Sequence, residues 1–430
     1  MMHATNSSLK FRLVVMNFLQ FFTWGAWLIS LGGYMMAELQ FGGLQVGAVY
    51  GTMGIASLFM PGLAGVIADK FINAERLLGI LHLLGAVLLV LTTQVRDYAS
   101  VYPLMLLVAM CYMPTIALVN TVAYNAMERQ GMNIVKEFPP IRVWGTVGFI
   151  LAMWLVDLSG SGRSVMQLYI AAASAVTLGV YSFSLPQCPP LSQKQPTKSG
   201  TKRTWVSALG LDALVLFKQR QMAIFFTFSI LLGAALQITN TFGNPFLDSF
   251  KVEYADSFAV QHPNVLLSLS QMSETLFILA IPFVLGRFGI KRVMLLSMLA
   301  WVLRFGFFGI GNPGDGFVFL VLSMVVYGMA FDFFNISGSL FVERVCSPKI
   351  RASAQGLFMI MTNGIGAIIG GFASGWVVDY FTDSSLGTSW QTVWFIFATY
   401  ALMIAVLFAL LFKYKESHTT PPEVLLTEGE

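Results

Sequence analysis

Apolar residues in this chain gather into twelve runs separated by charged or turn-rich breaks. They begin near residues 11, 44, 77, 101, 138, 165, 221, 264, 290, 316, 352 and 388. A helix needs about 20 mostly apolar residues to cross a bilayer, and the runs are read as helices of that kind. The first follows the polar lead "MMHATNSSLK". It is too long for the core of a signal peptide and no A-x-A site follows, so it is expected to persist as the first membrane helix. The fifth follows "EFPP", and Pro139 and Pro140 are expected in its first turn, where a missing N–H costs nothing. Two stretches lack such runs. Residues 186–220 form a basic linker, Pro- and Ser-rich at its start. Residues 414–430 form a polar tail expected to be disordered. The predicted organisation is a six-helix bundle over 11–185, a cytoplasmic linker over 186–220, a second six-helix bundle over 221–413 and a cytoplasmic tail over 414–430.

Composition agrees with this pattern. Of 430 residues, 56% are hydrophobic and only 11% charged, against about 25% charged in soluble domains. The net charge of +4 is too small to suggest nucleic acid as a partner. Its distribution is more informative. With both termini in the cytoplasm, the cytoplasmic segments hold twenty of the 25 Lys and Arg, the opposite side holds Arg96, Arg163 and Lys251, and Arg142 and Arg304 stay within the membrane. That split follows the positive-inside rule, and one missed or extra helix would scramble it. The expected location is a membrane crossed many times by a monomer.

Six plus six helices around a basic linker is a repeat architecture. It resembles transporters of the major facilitator type, which hold substrate at mid-membrane between two halves related by a pseudo-two-fold axis. "GVIADK", Gly65 to Lys70, resembles the G-x-x-x-D-[RK] signature loop of that superfamily, although the G-R-[RK] ending is missing. The reading assigns a closely packed role to Gly65, and pairing or capping to Asp69 and Lys70 in a gating loop between helices 2 and 3. "GRFGIKR" stands at the matching loop between helices 8 and 9.

Ionisable groups at membrane depth mark functional sites by default. Here they are Arg142, Glu274, Arg304 and Asp332, the last flanked by Phe331 and Phe333. Helical spacing lines up polar and aromatic neighbours with them. Arg142, Thr146 and Phe149 fall at i, i+4, i+7; Gln237 and Asn240 at i, i+3; Gln271 and Glu274 at i, i+3; Tyr327 and Phe331 at i, i+4; and Gln20 and Trp24 at i, i+4. The set offers amides, a hydroxyl, a cation, an acid and flat rings. A nucleoside fits, with the ribose on Glu and Gln and the base on aromatic rings and amides. A sugar or glycoside fits nearly as well. Gln, Asn and Thr also serve simply to join helices, and the two carboxylates could form structural ion pairs with Arg142 or Arg304. Arg304 is read as a pairing or snorkelling group, and the partner of Arg142 is open between Asp332 and Glu274. His82 is expected to hydrogen-bond between helices. The glycines of "NGIGAIIGGFASG" are expected to pack helices closely, since no G-K-[ST] ending makes them a phosphate loop.

Cys111, Cys188 and Cys346 match no metal or redox spacing, and the four histidines form no pair. No Ser-His-Asp set lies at membrane depth, so an integral membrane enzyme is not expected. No cofactor is expected beyond a proton as coupling ion.

The stretches "FPPIRVWGTVGFI", "LQITNTFGNPFL", "SQMSETLFIL", "YGMAFDFFNISGS" and "RASAQGLFM" together resemble the bacterial nucleoside:proton symporter family, over about Phe11 to Lys415. The resemblance implies the major facilitator fold and nucleoside uptake coupled to proton entry. It implies nucleoside-binding roles for Arg142, Thr146, Phe149, Gln237, Asn240, Gln271, Glu274, Tyr327 and Phe331, and a proton-coupling role for Asp332. The competing readings are a proton-coupled sugar or glycoside permease, a drug exporter and a non-transporting nucleoside sensor. The residues do not choose between purine and pyrimidine nucleosides.

Overall fold

The computed structural model describes residues 2–190, 211–348, 350–383, 385 and 387–414. Most of the linker predicted at 186–220 and nearly all of the tail predicted at 414–430 lie outside these residues. The described residues are almost wholly helical. In order it forms α1 (Met2–Gly25), α2 (Leu31–Ala37), α3 (Gly43–Lys70), α4 (Ala74–Thr92), α5 (Tyr98–Arg129), α6 (Ile134–Leu158) and α7 (Met166–Ser182). After a 3-10 turn at Leu211–Lys218 come α8 (Arg220–Ser249), α9 (Phe258–Gln261), α10 (Pro263–Ile310), α11 (Phe317–Val345), α12 (Arg351–Met359), α13 (Ala367–Tyr380) and α14 (Trp390–Leu411). A π-helical stretch, Ile360–Gly366, joins α12 to α13, and a two-stranded antiparallel hairpin pairs Thr382–Asp383 with Gly387–Thr388 before α14.

Among the described residues, nine helices are long and apolar enough to cross a membrane, counting α12 to α13 as one. The 48-residue α10 is two helices in practice. Gly289 adopts φ 74° and ψ 167°, outside the helical region, and so breaks the rod at the "GRFGIKR" turn predicted from the sequence. The 24-residue α1 and the 17-residue apolar α7 occupy the positions of the first and sixth predicted segments. Every predicted segment after the first begins within four residues of an observed helix start or of the Gly289 break. The first helix starts at Met2, nine residues early, because its polar lead continues the helix instead of remaining a loop.

Two local readings are corrected. Pro139 and Pro140 do not open their helix. Asn133 caps α6, its side chain accepting from the Lys136 N–H at 3.2 Å, so the helix begins five residues before Pro139. Gly65, Asp69 and Lys70 do not form a loop. They are the last turns of α3, which ends at Lys70. Nor is Gly65 closely packed, since a Cβ added there would meet nothing within 4 Å.

The two halves join through glycines. α3 of the first half lies along α13 and the π-helical stretch of the second. A Cβ at Gly54 would stand 2.6 Å from the Gly364 carbonyl oxygen, and one at Gly43 2.8 Å from that of Gly375. Backbone approach this close requires residues without side chains, as expected for the glycine-rich run on the eleventh segment. Polar contacts reinforce the join at the end of the bundle away from α1's start. Asp379 accepts from the Gly43 and Leu44 N–H groups at 2.5 and 2.9 Å. Arg163 pairs with Asp248. Asp157 contacts His262 Nδ1 at 3.1 Å and accepts from the Asn264 N–H at 3.2 Å. Trp154 Nε1 donates to Ser268 Oγ at 2.9 Å.

Candidate functional site

α6 brings Arg142 to the seam between the halves. Its guanidinium carbon lies 3.9 Å from the Phe21 ring centroid on α1. Gly145 makes room for this arrangement, because a Cβ there would lie 2.7 Å from both Arg142 Nη1 and Phe21 Cδ2. Two turns along α6, Phe149 meets Trp24 edge to face, with centroids 6.2 Å apart. Thr146 is half-buried between them on the same stripe. Trp24 also packs on Tyr112 at 5.4 Å. Behind this wall is a closed polar network. Gln20 donates to Thr115 Oγ1 at 2.8 Å, contacts His82 Nε2 at 2.8 Å, and its backbone carbonyl accepts from Tyr112 Oη at 2.8 Å. His82 is thus the inter-helix hydrogen bonder that the sequence suggested.

The second half contributes the acids. Arg142 interacts electrostatically with Glu274 across the seam, though at longer range than a direct ion pair. Glu274 in turn interacts with Asp332 and Tyr327. Of the two acids the sequence left open, Glu274 is the one with which Arg142 interacts electrostatically. The spacing of α10 and α11 makes this possible. A Cβ at Gly328 would lie 2.6 Å from the Ser273 carbonyl carbon and 2.7 Å from the Glu274 nitrogen, so the two backbones nearly touch beside both acids. Ser273 Oγ donates across the gap to the Val325 carbonyl.

Asp332 is 4% exposed, and its Oδ2 has no hydrogen-bond partner. Its neighbour Phe333 meets Phe277 edge to face at 5.8 Å. A buried carboxylate oxygen without a donor is costly while charged, and a proton relieves that cost. Tyr327 and Phe331 stack, as their i, i+4 spacing predicts, with centroids 5.9 Å apart and planes within 6°. Phe331 lines a small pocket with Leu236, Trp301, Asn335, Thr362 and Asn363.

The remaining candidates divide. Gln271 is half-buried with its Oε1 unpartnered. Gln237 is buried and donates a long 3.4 Å bond to Thr241 Oγ1 within its own helix. Asn240 is half-buried one turn further along α8. Gly65, Asp69 and Lys70 lie at the far end of α3, apart from this set. The reading of Arg304 is corrected. It neither snorkels nor pairs with a carboxylate among the described residues. It is 3% exposed and is held by aromatic rings and neutral acceptors. The sequence reading also passed over Phe21, Tyr112, Trp301 and Asn335. Trp301 was findable, since it stands three residues before Arg304 on a helix face already marked by a charge. Tyr112 was not, because nothing local separates it from packing tyrosines.

Membrane-length apolar helices packed around charged and aromatic groups define a multi-pass transporter of the major facilitator type. Solved structures agree. The chain superposes on the crystal structure of a mutant of the nucleoside transporter NupG with TM-score 0.90, at 52% identity over 94% of this chain and 100% of that one. It shares the fold alone with a bacterial homologue of the human lysosomal transporter Spinster, at TM-score 0.65 and 13% identity over 94% and 95% of the two chains. The sequence model of the nucleoside H+ symporter family matches residues 7–417, and the chain belongs to that family. Similar relatives are the nucleoside permease NupG of Escherichia coli, 52% identical over 95% of this chain and 97% of that protein, and the xanthosine permease of Escherichia coli, 54% identical over 95% and 96%.

Proposed function

We propose that this protein carries nucleosides into the cell together with protons, by alternating access between its two halves. The observation that carries the reading is the position of Glu274, which interacts with Arg142 in the first half and with Asp332 and Tyr327 in the second. One acid thus links the seam where substrate would sit to the carboxylate that would take the proton.

In this reading Arg142, Thr146, Phe149, Gln237, Asn240, Gln271, Glu274, Tyr327 and Phe331 bind the nucleoside. Glu274 accepts from ribose hydroxyls, amides donate to and accept from hydroxyls and base edges, and the rings stack on the base. Asp332 couples the proton. Neutral, it lets apolar surfaces close around it. Charged, it opposes that closure. Gly65, Asp69 and Lys70 act at the end of α3 where the halves separate. The chain crosses a bacterial inner membrane twelve times as a monomer, in bundles 11–185 and 221–413. α1, α7 and the two parts of α10 complete the count, and both termini face the cytoplasm, where most Lys and Arg lie. The join through Asp379, Asp157 and Arg163 then lies on the outer face. No cofactor other than the proton is needed.

The test is uptake of labelled uridine into proteoliposomes with and without an imposed inward proton gradient. Accumulation above equilibrium that requires the gradient is expected. Equilibration without accumulation would reject coupling, and competition by free ribose as strong as by uridine would point to a sugar permease.

A further inference from the structure

Arg304 is a cation buried in the second half without a carboxylate in contact among the described residues. A guanidinium taken out of water costs several kilocalories unless it is repaid locally, so its surroundings are informative. Nη1 donates to the Ser323 carbonyl at 2.8 Å and to Ser270 Oγ at 3.3 Å. Ser323 Oγ donates back to the Arg304 carbonyl at 2.9 Å. Nε finds no acceptor. The remaining partners are rings: the guanidinium carbon lies 4.5 Å from the Tyr327 centroid and 5.2 Å from that of Phe308. Trp301, on the same helix face, meets Tyr327 edge to face at 6.0 Å. Tyr327 is therefore held by a cation and a T-shaped contact with an indole, and it stacks on Phe331 within 6°. Ser270 immediately precedes Gln271 and lies one turn before Glu274.

We infer that Arg304 is a positioning residue that sets the plane of Tyr327, and with it the Tyr327–Phe331 aromatic step, for stacking against the base of the nucleoside. This rests on the substrate site proposed above. A purely structural link between α10 and α11 needs only the hydrogen bonds to Ser323 and Ser270, which a neutral amide can supply in part. The ring contact needs a cation, and cation–π attraction in a desolvated site is worth enough to change affinity about tenfold. Asp332 is not among the groups that touch Arg304, so proton coupling does not depend on it directly.

The experiment compares Arg304→Gln, Arg304→Lys, Tyr327→Leu and the Arg304→Gln/Tyr327→Leu double variant of the full-length protein in proteoliposomes. It reads KM and kcat for uridine uptake and the pH profile. Arg304→Gln should raise KM about tenfold, with kcat and the pH profile close to the parent. Arg304→Lys, which keeps the charge, should recover most of the affinity. In the Tyr327→Leu background Arg304→Gln should have no further effect on KM. If kcat falls with KM unchanged, if Lys is no better than Gln, or if the two effects multiply in the double variant, Arg304 only braces the helices and the inference fails. If Arg304→Gln does not fold, as judged by melting and size-exclusion profiles, the comparison of Arg304→Lys with the parent in both Tyr327 backgrounds decides instead: a KM change of severalfold that vanishes with Tyr327→Leu supports it, and its persistence overturns it. Parent protein that neither binds nor accumulates uridine would reject the substrate reading, a separate outcome from these.

Discussion

Gly328 on α11 backs onto Ser273 on α10 so closely that a Cβ at 328 would stand 2.6 Å from the Ser273 carbonyl carbon. This approach holds Tyr327 and Asp332 on one helix beside Glu274 on the other. Gly328→Ala must therefore push the helices apart or strain the backbone, an overpacking cost of about 1–3 kcal/mol. Uridine uptake should fall at least several-fold while the protein still folds with a lowered melting temperature. Uptake and melting unchanged from the parent would mean that the approach is not required.

Asp332→Asn retains the shape of the side chain but cannot cycle a proton. Concentrative uptake should be lost, the internal uridine level falling to the external one, whereas exchange of labelled for unlabelled uridine across the membrane should persist. Full accumulation by Asp332→Asn would remove Asp332 from the coupling step.

Arg142 and Glu274 interact across the seam without a direct ion pair, which calls for a double-mutant cycle. Arg142→Met and Glu274→Gln should each weaken uridine binding, and the double variant should lose less than the sum, with a coupling of about 0.5–3 kcal/mol. Strict additivity in binding measured by calorimetry would show that the two groups act independently.

Asp379 of the second half caps the start of α3 in the first, accepting from Gly43 and Leu44. Asp379→Ala removes a helix cap of the kind worth about 0.5–2 kcal/mol, and it removes it only from the conformation in which these halves touch. A cysteine introduced at Ser268 behind the Trp154 contact should then react faster with a membrane-impermeant thiol reagent. An unaltered rate would show that the cap does not bias the opening of this end.

Much of this protein is readable from the residues alone, because the bilayer simplifies the problem. A backbone in lipid must satisfy its own hydrogen bonds, so apolar runs become helices, and charged breaks such as "GRFGIKR" become turns. The i, i+4 pair Tyr327 and Phe331 stacks because helical spacing leaves it little choice. An acid between phenylalanines, Asp332, stands out because its burial is costly wherever its helix packs. Tertiary structure decided what depends on helices meeting. Asn133 moved the start of α6 ahead of Pro139, and Gly65 turned out to face open space. Glu274 became the neighbour of Arg142 only when α6 and α10 were brought to one seam. Arg304, which sequence reads as half of an ion pair, lies against Tyr327 and Trp301 instead. Spacing along one helix specifies a face, but which face of another helix it meets is set by close packing across the whole bundle, through glycines such as Gly328 whose role no local pattern reveals.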